Sequence, residues 1–199
     1  MPSPFDTLSQ EQKDAFNSRL KQQGFDPTAL AGGHILTSGD GCRIHDADPQ
    51  YAKYVKYKTI SSIDEVKQVL GVPNAAFAKS GSDDHLKSKY LPPPPYAGKS
   101  DVTLSALTPE EENDLDEVTY AYLFGNSDKV AGWADVINRL KLPRELGFVA
   151  AESVTVKPGS PLYITYPSYT FGVMTIEPGG QVIVQSDSSV SIQRLVKGP

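Results

Sequence analysis

Two histidines close to an aspartate are the residues whose types and spacing best suit metal chemistry. They lie in GHILTSGDGCRIHD, residues 33–46, where two short apolar runs flank a turn at Ser38–Gly41 and predict a β-hairpin. In that hairpin His34 faces His45 across the two strands. Two imidazoles with a carboxylate form a ligand set that suits zinc or iron. The predicted ligands are His34, His45 and Asp46, with Asp48 as the alternative carboxylate.

A site of this kind would bind a divalent metal as its cofactor and would make the chain a small metal-dependent enzyme. The other interpretation is that these side chains are polar hairpin residues and that the chain binds no cofactor. Nothing in the sequence alone brings the three ligands together in space. Both interpretations therefore stay open at this point.

Cysteine chemistry is restricted by residue count and by spacing. Cys42 is the only cysteine, so neither an intrachain disulfide nor a multi-cysteine zinc site can form. Cys42 and His45 are three positions apart, and such positions on a strand point to opposite faces. The sequence also contains no phosphate-binding loop, serine-hydrolase elbow or paired-histidine metalloprotease motif. These observations favour a non-catalytic binding or assembly protein.

A run of prolines provides a candidate partner-binding segment. Consecutive prolines enforce the polyproline II conformation and end any helix. Because that conformation exists before binding, such a segment binds aromatic grooves at little entropic cost. The alternative is a rigid spacer over residues 91–105. The residues that match the proline-proline-any-tyrosine ligand pattern of WW domains are Pro93, Pro94, Pro95 and Tyr96.

Composition and charge argue against several functional classes. The 199 residues are 39 % hydrophobic and 22 % charged, as in ordinary globular proteins. The net charge of −5 disfavours nucleic-acid binding, which requires a basic surplus. No apolar run approaches the roughly 20 residues of a membrane helix, although contact with a membrane surface stays open. The first residues lack a signal-peptide profile, which predicts a cytoplasmic protein or one exported without a cleaved signal peptide.

Capping patterns predict where the helices begin. Ser9 opens a first helix in SQEQKDAFNSRLKQQG, and Ser62 opens a short one in SIDEVKQVLG. Thr108, followed by proline, opens the first of two antiparallel helices over 109–123 and 128–140. Their apolar side chains recur every three or four residues and predict a buried stripe. The residues of that stripe are Leu115, Val118, Tyr122, Val130, Trp133, Ile137 and Leu140.

The last third of the chain contains an internal repeat. VTVKPGSPLYIT at 154–165 is followed, twenty residues later, by MTIEPGGQVIVQ at 174–185, and VSIQ at 190–193 is a partial third copy. A period near twenty with short strands predicts coils of a parallel β-solenoid. The alternative is an antiparallel meander that turns at each Pro-Gly. Pro-Gly favours type II turns, whereas tight hairpins prefer the primed types, and this favours the solenoid.

Two segments resemble known families. TIEPGGQVIV resembles coils of bacterial right-handed parallel β-helix proteins over about 45 residues, and this implies a bacterial chain with stacked parallel strands. ISSIDEVKQVLGVP resembles segments of membrane-attack-complex/perforin-type toxins over fewer than 20 residues. The second resemblance implies a membrane-active toxin component as a further alternative function.

Together these patterns predict an α+β fold. Its parts are a mixed N-terminal region at 1–90, the proline-rich spacer at 91–105, a helical pair at 106–148 and a C-terminal β-repeat unit at 149–199. The repeat ends after a partial copy, which leaves a sheet edge or coil end uncovered. We therefore expect a homo-oligomer or a protein partner at the C-terminal β surface.

Overall fold

Helices and parallel sheets make up the computed structural model, which describes residues 3–77, 90, 92–185 and 188–198. This confirms the mixed α+β class. The helices in the described residues are α1 Gln10–Gln22, α2 Ile63–Leu70, α3 Pro109–Phe124 and α4 Ala134–Lys141. The strands are β1 His34–Leu36, β2 Cys42–Arg43, β3 Val55–Ile60, β4 Arg144–Val156, β5 Leu162–Ile164, β6 Ser168–Ile176, β7 Val182–Val184 and β8 Ser189–Lys197.

The chain divides into two compact units. Unit 1 comprises residues 1–58 and 146–199, and unit 2 comprises residues 59–145. The N-terminal strands thus belong to the same unit as the C-terminal repeat. These bounds differ from the four segments that the sequence suggests, because strand pairing joins the two ends of the chain.

Unit 1 is built on two sheets. One has the strand order β1-β4-β6-β8, with β3 paired to β4, and the other has the order β2-β5-β7. The pairs along both orders are parallel. Val156 pairs with Ile176, which is the register that the period of twenty predicts. The antiparallel meander is therefore wrong for these strands.

Pro-Gly turns follow β4 and β6 at equivalent points of the repeat. Gly159 and Gly179 have φ angles of 71° and 81°. This is the left-handed conformation that a type II turn requires at its third position, where glycine is favoured. Each turn is closed by a hydrogen bond between its first and last residues, 3.2 Å long at Ser160 and 2.8 Å long at Gly180. The proline at the second position fixes φ near the value that this turn type needs.

The hairpin predicted for residues 33–46 is wrong. β1 pairs with β4, where His34 is opposite Ser153, and β2 pairs with β5 in the other sheet. The turn residues between β1 and β2 connect strands of two different sheets. β1 thereby gains the long strand β4 as its parallel neighbour, and β2 joins the second sheet beside the short strand β5.

Helix α1 packs on β6 through apolar and polar contacts. Phe16 and Leu20 are buried on its inner face. Just after the helix, the fully buried Gln23 donates from Nε2 to Ser168 Oγ and accepts from Thr170 Oγ1, both at 3.0 Å. Because buried polar groups are costly when unpaired, these bonds fix the helix end against the strand.

Unit 2 is helical, and its capping predictions are confirmed. Thr108 and Glu111 form the capping box of α3, with proline at the first helical position. Leu115, Val118 and Tyr122 are buried, as the stripe predicts. The second predicted helix begins as a 3₁₀ segment, Ser127–Trp133, which continues into α4. The non-helical backbone at Val130 interrupts this segment, so α4 itself is short.

Candidate functional site

The last strands of unit 1 leave its core uncovered. In-register parallel strands place side chains at the same level on the same side, so the core consists of columns that run from strand to strand. Inside the unit the members of these columns are almost fully buried, but the members on β7 and β8 are exposed by 59 % at Val184, 37 % at Val190 and 48 % at Leu195. The three columns that end on these exposed side chains are Val149–Tyr169–Val190, Val154–Met174–Leu195 and Ile164–Val184.

We call Val184, Val190 and Leu195 the open end. No residue of β7 or β8 whose burial is described falls in the buried class, whereas most of β4 and β6 is buried. β8 and β7 are also the last strands of their sheets. Edge strands of this kind carry backbone groups that can pair with another chain. The open end therefore combines apolar side chains with strands that have no further strand beside them in the described residues.

The start of the chain contacts the middle of β8. Gln12 Nε2 donates to the carbonyl oxygen of Gln193 at 3.1 Å, and Arg194 donates to the carbonyl oxygen of Thr7 at 3.4 Å. The first contact satisfies the carbonyl of Gln193 near the centre of β8, and the second joins the side chain of Arg194 to the N-terminal segment. They leave the three side chains of the open end exposed.

His34 contacts a serine that the sequence does not single out. His34 Nδ1 lies 2.7 Å from Ser153 Oγ, across the β1–β4 pair. Partial burial lowers the pKa of His34, so the ring is neutral near pH 7 and can bond the hydroxyl without a net charge. Ser153 is itself buried in the sheet, where a substrate carbonyl cannot approach it. The pair is therefore a buried hydroxyl satisfied by an imidazole and not an exposed nucleophile.

The other predicted metal ligands follow β2. His45 and Asp46 are exposed, and Asp46 accepts a hydrogen bond from Tyr57 at 3.2 Å. The hairpin that would bring His34 opposite His45 is absent. Across the described residues, no group of three or more histidine, cysteine, aspartate or glutamate side chains is placed to hold a metal ion. The metal site stays a prediction that only a metal measurement can test.

Cys42 is buried, and its thiol is unreactive. Its sulfur donates to the hydroxyl oxygen of Tyr51 at 3.2 Å. Burial raises the pKa of the Cys42 thiol, and the nearby charge of Asp48 raises it further. A thiol that stays protonated is a poor nucleophile and a poor metal ligand.

The proline segment packs on the tryptophan of its own unit. Trp133 Nε1 donates to the carbonyl oxygens of Tyr90 at 2.9 Å and Pro92 at 3.1 Å. The rings of Tyr90 and Tyr96 stand at 86° and 88° to the indole, with centroid distances of 6.2 and 6.5 Å. Pro94 and Tyr96 are buried. Pro93 and Pro95 are exposed, so two of the four predicted partner-binding residues are covered within unit 2 and two are accessible.

A cavity of about 540 Å³ lies beside this segment. One wall is formed by the prolines and by the rings of Tyr90, Tyr96 and Trp133, and the other by the first two turns of α3. The second wall carries carboxylates, so we call this space the acid-lined cavity. Its acidic lining residues are Glu110, Glu111 and Asp114.

Tyr96 has a hydroxyl group without a hydrogen-bond partner. The residue is only 6 % exposed, and its buried oxygen makes no hydrogen bond to the part of the chain that the structure describes. Burial raises the pKa of Tyr96, and the charges of Glu111 and Asp114 raise it further, so the phenol stays protonated. An unpaired buried hydroxyl is costly and needs a reason.

Sequence reasoning missed Ser153, Trp133 as the docking point of the prolines, and the carboxylates of α3 as a cavity wall. The open end was the one candidate site that the sequence indicated. Its signal was the partial third repeat, because a repeat that stops early leaves its last strands uncovered. Comparisons with protein-family models, curated proteins and solved structures find no match for this chain. Among the described residues, no helix is both long and apolar enough to cross a lipid bilayer.

Proposed function

We propose that this chain is a non-catalytic assembly protein that associates with a second copy of itself through the open end. We further propose that the parallel strands of unit 1 form a short β-solenoid whose last coil is completed by that second copy. The observation that carries the proposal is that three of the core columns stop at an exposed aliphatic side chain on the last strands.

The chemistry of the open end favours a second copy over an unrelated partner. Its side chains are of the type that fills the same columns inside the unit, so two open ends are complementary in size and polarity. Solenoid repeats bury their core only by stacking and require a cover at each end. A two-fold contact presents the same patch from both subunits and closes without further growth.

Sedimentation over a wide range of protein concentration tests this proposal. We expect wild-type protein to shift from monomer to dimer as its concentration rises. Leu195→Lys and Val184→Lys should each weaken the dimer about tenfold or more, because covering a half-exposed aliphatic side chain contributes about 1 kcal/mol and a charge adds a desolvation cost.

A matched control separates this effect from a general effect of added charge. Leu104 is 40 % exposed and belongs to unit 2. Leu104→Lys should leave the dimer constant unchanged. A wild-type monomer at every concentration, or equal weakening by Leu104→Lys, would contradict self-association through the open end.

A further inference from the structure

We propose that the end of unit 1 opposite the open end is closed by a built-in cap, so that unit 1 accepts a partner at one end only and assembly stops at two copies. The limit of two copies rests on the proposed function, whereas the closure of this end does not. We call residues 26–33 and 44–54 the cap. They come directly before β1 and directly after β2, the strands that end the two sheets on this side.

One core column reaches both ends of unit 1 and shows how the ends differ. It consists of Ile35–Val154–Met174–Leu195. Ile35 is 1 % exposed, whereas Leu195 is 48 % exposed. In the second sheet, Cys42 on β2 is buried, and Val182 in the same column on β7 is only partly buried. Because β1 and β2 end their sheets just as β8 and β7 do, something other than a strand covers Ile35 and Cys42.

The cap provides this cover with two short 3₁₀ segments. Pro27–Leu30 and Ala52–Tyr54 contact each other, and each ends in a buried side chain. Tyr51, just before the second segment, is buried as well. The sulfur of Cys42 donates to the hydroxyl oxygen of Tyr51 at 3.2 Å, so this residue lies against the last core side chain of the second sheet.

Tyr54 also occupies the backbone edge of β1. Gly33, just before this strand, accepts a hydrogen bond from the backbone nitrogen of Ser153 on β4. Because successive residues of a strand present their backbone groups to alternate sides, the carbonyl of His34 points away from β4. That carbonyl accepts from the hydroxyl of Tyr54 at 3.3 Å. A strand of three residues whose edge is covered is poorly suited to pair with another chain.

A unit with one closed end has a single place for a partner. Two open ends could stack head to tail, and such a contact grows into a filament unless it closes into a ring. Terminal caps with a polar outer face stop this growth in repeat proteins. The cap has such a face, because its exposed side chains include Asp26, Asp46, Gln50 and Lys53. A second copy on the open end therefore completes the assembly.

Two thiols at opposite ends of the second sheet test the closure directly. Cys42 on β2 is the only cysteine of the chain, and Val184→Cys places a second thiol on β7. Maleimide labelling of this variant, followed by peptide mass mapping, measures both rates in one sample, each relative to its rate in denaturing urea. At low protein concentration Cys42 should be labelled about a hundredfold more slowly than position 184. Comparable rates at the two positions would overturn the cap, whatever the number of copies.

Light scattering at high protein concentration tests the limit on assembly. We expect the mass of wild-type protein to reach that of two copies and to rise no further. Larger species that grow with concentration would overturn the cap and leave self-association intact. A monomer at every concentration would contradict the proposed function and, with it, the limit of two copies, and the labelling rates would then decide the closed end alone.

Mutation of the cap tests its role in assembly. Tyr51→Ala removes the ring beside Cys42, so it should speed the labelling of Cys42 about tenfold or more and let assemblies grow beyond two copies. Tyr51→Phe keeps the ring and should match wild type in both measurements, as should Tyr120→Ala, which removes an exposed tyrosine of unit 2. Faster labelling of Tyr51→Ala without growth beyond two copies would reject the cap as the limit on assembly. If Tyr51→Ala does not fold, the wild-type masses and the labelling of Val184→Cys decide the proposal.

Discussion

Tyr96 shows how a single atom can oppose stability. Its hydroxyl is buried without a partner, so it lost its bonds to water on folding and gained none in return. We expect Tyr96→Phe to raise the free energy of unfolding by about 1 kcal/mol, measured by urea denaturation.

Tyr122 is the matched control for this prediction. It is buried in the same unit, but its hydroxyl donates to Asp64 at 2.5 Å. Tyr122→Phe removes a bond to a carboxylate and should lower the free energy of unfolding by about 1–3 kcal/mol. If both variants were destabilised alike, the hydroxyl of Tyr96 would have a partner in solution.

His34 belongs to the residue scale as well, because its ring nitrogen Nδ1 lies 2.7 Å from Ser153 Oγ. We expect protein purified in metal-free buffer and then exposed to zinc to bind no stoichiometric metal by elemental analysis. His34→Ala should leave the metal content unchanged. One tightly bound metal per chain that is lost in His34→Ala would restore the metal-enzyme alternative.

At the scale of elements, Gly172 permits the close packing of β6. A Cβ atom at this position would lie 2.4 Å from the ring of Phe5 and 2.5 Å from the carbonyl oxygen of Glu152. The β4–β6 and β6–β8 ladders both omit this level, which marks a local break in the pairing. Gly172→Ala should therefore cost about 1–3 kcal/mol of unfolding free energy through overpacking.

Gly98 provides the comparison for that substitution. Nothing lies within 4 Å of a Cβ built at Gly98, so Gly98→Ala should change the free energy of unfolding by less than about 0.5 kcal/mol. Thermal denaturation of both variants measures the difference. An unchanged melting temperature for Gly172→Ala would mean that the strand relaxes around the added methyl group.

The elements differ in how far sequence could predict them. Helix starts depend on neighbouring residues, so Ser9, Ser62 and Thr108 were identifiable as caps. The register of β4 and β6 could be predicted because aligning the two copies of the repeat shows which residues are equivalent. The pairing of β1 and β2 was mispredicted because their partner strands lie about 120 residues away in the sequence. A local sequence pattern does not identify a partner strand at that separation.

The candidate sites were less predictable for the same reason. Prolines were visible in sequence, but the bond between Trp133 and the carbonyl of Pro92 joins residues 41 positions apart. The carboxylates at the start of α3 matched a helix-capping pattern. That pattern gave no indication that they also line a cavity. Only the uncovered repeat end was foreseen, because the repeat itself shows where it stops.

At the scale of the whole molecule, self-association predicts that stability depends on concentration. Dimerisation stabilises only the folded state, so the melting temperature of wild-type protein should rise with protein concentration. Leu195→Lys should remove most of that dependence, and Leu104→Lys should retain it. Identical melting curves for wild type over a hundredfold range of concentration would contradict a dimer.

Connectivity also sets an order in time. Unit 1 begins at the first residues but resumes only at residue 146, and His34 on β1 pairs with Ser153, 119 residues later. At about 5–20 residues per second, a ribosome needs roughly 6–24 s to make that intervening stretch. During this interval β1 and β2 have been synthesised but have no strand to join, whereas residues 59–145 already contain their own core.

A chain stalled at residue 145 should therefore be cleaved by protease within residues 34–43, and a full-length released chain should resist cleavage there. The first strands to leave the ribosome would be among the last to find their place, and they would need protection from other nascent chains until then.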